Sequence, residues 1–220
     1  MEEKELSQKE SLLLIQQMIH TAKNSFVDTG IGPILWGTVI TICSLVQYAE
    51  IKNYFKLPFD IWLLAIIAIV PQLIISYKEN KIQTARGWTD QAVGFIWACF
   101  GIGIFIMNFI AVSYSNKIGP VLKEYAEVTG KSIEGLGFWN HGTSYLMFLY
   151  GVPTIVTALI RKFPIMLAGG ILCWVCAIVC TYTSIDIDFL CMALCATMSW
   201  LIPGLIIRGN YLKKAKLANV

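Results

Sequence analysis

Six apolar stretches without a single Asp, Glu, Lys or Arg divide this chain: Ile31–Ala49, Ile61–Tyr77, Gln91–Asn116, Gly135–Ile160, Phe163–Ile185 and Phe189–Ile207. All 17 basic and 14 acidic residues lie between or beyond them. Each stretch approaches or exceeds the ~20 residues that a helix needs to cross ~30 Å of hydrocarbon. A backbone in lipid must satisfy its own hydrogen bonds, so such segments are helical and ionised groups are kept to their ends. The expected fold class is all-α: a polytopic membrane helix bundle with six transmembrane helices. A chain of 220 residues then has little left for a soluble catalytic domain.

Charged residues amount to 14% of the chain, against about 25% in ordinary globular proteins. The net charge of +3, with no basic run interleaved with aromatics, argues against a nucleic-acid partner. The first 28 residues lack the pattern of a removable signal peptide, so Ile31–Ala49 is expected to be an uncleaved anchor. Basic residues set the threading. Five of them (Lys52, Lys56, Lys117, Lys123 and Lys131) fall on one side and the other twelve on the side of the N-terminus. This places both termini in the cytoplasm. Acidic residues divide evenly.

Three regions follow: a cytoplasmic amphipathic helix over residues 1–29, the bundle over 30–208 and a basic cytoplasmic tail over 209–220. Ser7 and Glu10 form a capping box. Leu12, Ile15, Ile19, Ala22 and Phe26 then recur at spacings of three and four, giving one apolar stripe. Such a helix lies in the inner interface of the bilayer, or meets a cytoplasmic partner or a second copy through a short seam. The stretch from Ser115 to Asn140 is the one long connection. A short helix is expected to begin at Pro120 and to stop at Gly130.

The spans group in sequence as three hairpins with faint internal similarity. Pro71, Pro153 and Pro203 lie towards the cytoplasmic ends of the second, fourth and sixth spans, and Pro71–Ile75 matches Pro203–Ile207 at four of five positions. Each proline withdraws a donor from the residue four earlier, so helix kinks are expected there. Gly94, Ala98 and Gly101 line one face of the third span, a pattern suited to close internal packing or dimerisation.

Chemistry is sparse. The spans contain no ionisable carboxylate, Lys or Arg, which argues against proton coupling. The mid-span polar residues are mild ones such as Thr41, Ser44, Gln72, Thr154, Thr157, Thr197 and Ser199, suited to hydrogen bonds between helices. His20 and His141 fall on opposite sides, and no HExxH, GxSxG or phosphate-loop motif occurs. No catalytic residues, cofactor or metal ligands are expected.

All seven cysteines lie in apolar spans. Packing is their default role there, Cys173-Trp-Val-Cys176 included. The best polar constellation is exterior: Asp60, Asn140, His141, Asp186 and Asp188 each stand near the start of an inward-running helix. They read as helix-terminal carboxylates and caps, or as a small cation or proton-sensing site with His141 titrating.

At Leu6–Leu12, Met18–Asn24, Leu35-Trp-Gly37 and Trp200–Gly204 the chain resembles a group of small multi-pass bacterial inner-membrane proteins with an N-terminal amphipathic helix. The resemblance implies an inner-membrane location and carries no substrate or catalytic residue. The expected function is a non-enzymatic accessory, regulatory or stress-related membrane role. The alternative is a permease or channel for an uncharged or lipophilic solute.

Overall fold

The computed structural model describes residues 29–82, 88–131 and 137–218. The apolar stripe Leu12, Ile15, Ile19, Ala22 and Phe26 lies outside them. Among the described residues every regular element is helical. In chain order they are α1 (Ile31–Ile51), α2 (Leu63–Ile67), α3 (Ile69–Ile82), α4 (Trp88–Thr129), α5 (Gly142–Arg161), α6 (Pro164–Val179), α7 (Ile185–Ala196) and α8 (Ile202–Ala218). A 3₁₀ turn, Phe138–His141, leads into α5, and a π-helical turn, Thr197–Leu201, joins α7 to α8. Four helices are long and apolar enough to cross a membrane: Ile31–Ile51, Gln91–Thr129, Gly142–Arg161 and the joined Ile185–Leu217. Pro164–Val179 is a shorter apolar helix.

The three span prolines have three different outcomes. At Pro71 the helix breaks, and α2 and α3 meet at Ala68, one residue past the carbonyl that the proline leaves without its donor. Pro153 sits inside an unbroken α5. There the neighbouring carbonyls find other donors: the Trp174 indole reaches Phe148 O at 3.3 Å and the Thr154 hydroxyl reaches Tyr150 O at 2.7 Å. Ahead of Pro203 the ladder widens into the π turn, with Ser199 at its middle.

The long connection expected from Ser115 is helical over most of its length. α4 runs 42 residues without a break and carries Pro120 in its interior. Its length is about 63 Å at ~1.5 Å per residue, roughly twice the hydrocarbon thickness. The expected start at Pro120 fails because one missing N–H costs a single bond, while Lys117–Thr129 supplies good helix formers such as Leu, Lys, Glu and Ala. Gly130 does end the helix, at φ 64°, with its N–H on Ala126 O at 2.9 Å.

Packing does not follow three sequential hairpins. The most extensive contacts join α5 to α6, and α1 to α7 and the π turn. α5 and α6 pair through a tight turn: Lys162 adopts φ 52°, Phe163 N–H bonds Ala158 O at 2.9 Å, and Pro164 opens α6. α2 and α3 return along α1, as three contacts mark out. Cys43 Sγ–H points to Ile61 O at 3.5 Å, Gln72 lies against Gly32, and Thr29 Oγ1–H donates to Glu79 at 2.5 Å.

Glycines set the closest approaches. A Cβ at Gly37 would stand 2.5 Å from Leu201 N, and one at Gly169 would stand 2.6 Å from Ser199 Cα. Gly94 and Gly101 behave differently. Nothing lies within 4 Å of a Cβ built at either, and Ala98 is exposed, so the expected internal packing of this face does not occur. α4 is peripheral: 6% of its most apolar stretch is buried, against 44% for that of α5.

Candidate functional site

The five flank residues do not form one site. Asp60 is exposed, and its carboxylate accepts the Trp62 backbone N–H at 2.9 Å, an ordinary turn at a helix start. Asn140 belongs to the 3₁₀ turn, while exposed His141 stands at the N-terminus of α5 without a side-chain capping bond. Asp186 and Asp188 share the first turn of α7 but face different partners. Asp186 pairs with Lys52 at 2.6 Å and so ties the end of α1 to the start of α7. Hydrogen bonding to Asp186, and then charge attraction by it, raises the Lys52 pKa.

Asp188 is 1% exposed, and each of its carboxylate oxygens accepts one hydroxyl: Thr143 at 3.1 Å and Thr183 at 2.6 Å. This is how a carboxylate can be buried beside lipid. Two donors and the positive end of α7 replace the lost water.

Deeper in the bundle the mid-span threonines bond between helices. Thr41 and Thr197 are 3.1 Å apart, and the Trp97 and Trp200 indoles donate to Thr157 and Thr154, each at 3.1 Å. Trp200 also packs edge-on against Trp97 and Tyr150, with centroids 5.2 and 4.7 Å apart. Trp97 therefore joins α4 and α5 to the π turn. Indole–threonine pairs were not readable beforehand, since an apolar span gives no sign of which tryptophan faces inward.

The bundle centre is rich in sulphur. Of the nine residues in its buried cluster, six are Cys or Met: Met147, Cys173, Cys176, Cys180, Met192 and Cys195. The thiol of Cys195 lies close enough to interact with those of Cys173 and Cys176. Cys176 in turn neighbours Cys191, which neighbours Cys180, and Cys180 adjoins Asp188. At the other end Cys173 Sγ is 3.4 Å from Ser199 Oγ, within the π turn. Sequence reading placed these cysteines in spans without finding that α6 and α7 turn them towards one another.

A cavity of about 10 Å³ lies beneath the π turn, lined by Met147, Tyr150, Cys173, Met192, Cys195 and Ser199 among others. Among the described residues, no three His, Cys, Asp or Glu side chains are placed to hold a metal ion together.

Helix length and hydropathy define the class: this is a multi-pass integral membrane protein. No family model, curated protein or solved structure matches the chain.

Proposed function

We propose that the chain crosses a bacterial inner membrane six times with both termini in the cytoplasm, and that it serves there as a non-enzymatic accessory or regulatory protein. The six-crossing reading is supported by the return of α2 and α3 along the length of α1, and by the hairpin of α5 and α6. The observation that carries the functional reading is the closed interior. The central void of about 10 Å³ is far smaller than the ~300 Å³ or more of a small-molecule site. What remains for recognition is the chain outside the spans: residues 1–28, the far third of α4, and the basic end of α8 with Arg208, Lys213, Lys214 and Lys216.

The permease reading keeps one observation in its favour, the break at Ala68 and the π turn, which are places where packed helices can hinge. Removal of residues 1–28 separates the two. Under the accessory reading the truncated protein inserts and folds but loses both its phenotype and any stoichiometric partner recovered in mild detergent. Solute flux through proteoliposomes that persists after the truncation would overturn it.

A further inference from the structure

We propose that the sulphur-lined cavity beneath the π turn binds one soft monovalent metal cation of the Cu(I) class, reached along the row of thiols between α6 and α7. This goes beyond the accessory role and does not depend on it. Two thiols, Cys173 and Cys195, and two thioethers, Met147 and Met192, line the same small void. All four are at most 3% exposed. Thiolate and thioether donors select Cu(I) over the harder divalent ions. A two-thiol, two-thioether set also differs from the three-residue His, Cys, Asp and Glu groupings that the described residues lack.

The void, about 10 Å³, has room for one guest of atomic size. Charge balance suits lipid. When the cation binds, one thiol releases its proton to the medium, leaving a neutral metal–thiolate with neutral sulphur donors around it. A divalent ion would have to displace the protons of both thiols to reach neutrality, and thioether donors suit it less well.

The route is the second observation. From buried Asp188, at the polar flank, Cys180, Cys176 and Cys173 recur at spacings of four and three towards the cavity, and Cys191 and Cys195 stand four apart on α7, all within or packed against the one buried cluster. A carboxylate at the outer end attracts a cation, and each thiol hands it to the next soft donor. Simple packing requires small residues along a helix interface and gives no reason for them to be consecutive sulphurs ending at a void.

The test uses the full chain carrying Cys99→Ser, which removes the exposed thiol of α4, titrated with Ag(I) as a redox-inert probe. Excess glutathione strips ions held by single thiols. The expected result is one Ag(I) retained per chain, with sulphur-only scattering at the silver edge. Cys173→Ser and Cys195→Ser should each weaken retention by roughly tenfold or more. Met147→Leu, close in volume, should weaken it with the melting temperature preserved. No retained Ag(I), oxygen or nitrogen in the coordination shell, or retention unchanged in both serine variants and in Met147→Leu would overturn the proposal.

Discussion

At the residue scale, what matters is which side of an apolar helix a residue faces. Gly37 and Gly94 are both glycines in spans, yet a Cβ at Gly37 meets the Leu201 backbone while one at Gly94 meets open space. Gly37→Ala is expected to cost about 1–3 kcal/mol through overpacking. Gly94→Ala should be neutral or stabilising, by up to about 1 kcal/mol, because helix propensity is the only change. Thermal melting in one detergent compares the two, and equal losses would contradict the packing described. Asp188 gives a second case. Asp188→Ala leaves the Thr143 hydroxyl without its acceptor and the Thr183 hydroxyl with only Val179 O at 3.4 Å, at a cost of about 1–3 kcal/mol, whereas Asp60→Ala removes only an exposed turn contact. A melting temperature lowered more by Asp60→Ala than by Asp188→Ala would refute the assignment.

At the scale of elements, the π turn and the Lys52–Asp186 pair each make a prediction. A π turn holds one more residue than the α-helical turn it replaces. Deleting Met198 should therefore restore regular α geometry while keeping α7 and α8 in register with α1. Deleting Leu194 should instead rotate everything after it by about 100° and unseat Gly204 from Ile34. Size-exclusion profiles of the two deletions provide the check, the first expected to be monodisperse and the second aggregated.

The Lys52 pKa is raised in the folded state. Its contribution to stability is thus fully present below the unfolded lysine value of about 10.4 and is lost as pH rises through the folded value. Lys52→Met should lower the melting temperature slightly at pH 7 and low salt. That difference should vanish above the lysine range, and shrink at high salt, because the Lys52 side chain is exposed. A difference that grew with pH would contradict the pairing.

At the scale of the whole molecule, α4 is longer than any bilayer it could cross. Phe105 lies midway along its apolar stretch and Val128 near its end, and both are strongly exposed. Their separation is about 35 Å along the helix. In a Cys99→Ser background, Val128→Cys should react rapidly with a membrane-impermeant maleimide, while Phe105→Cys should stay unlabelled until detergent is added. Labelling of both in intact membranes would mean that α4 does not span.

The sequence by itself determined the apolar segments, their helical character and two punctuation marks: Gly130 as a stop and Pro71 as a site where the helix is disturbed. These depend on charge, hydrogen-bonding capacity and backbone sterics, all of which are local. It did not determine that α4 continues through Pro120, because a single proline leaves the outcome to the bonds on either side.

Nor did it determine which faces are buried. In water an amphipathic stripe reveals the core. In a bilayer, lipid tails are as apolar as the interior, so Gly94 and Gly37, or Trp97 and Trp62, look alike along the chain. Only the tertiary structure decided that α1, α5, α6 and α7 surround a sulphur-rich centre and that Asp186 and Asp188 part company. Those outcomes follow from close van der Waals fit between helices, and sequence periodicity carries almost no information about that fit.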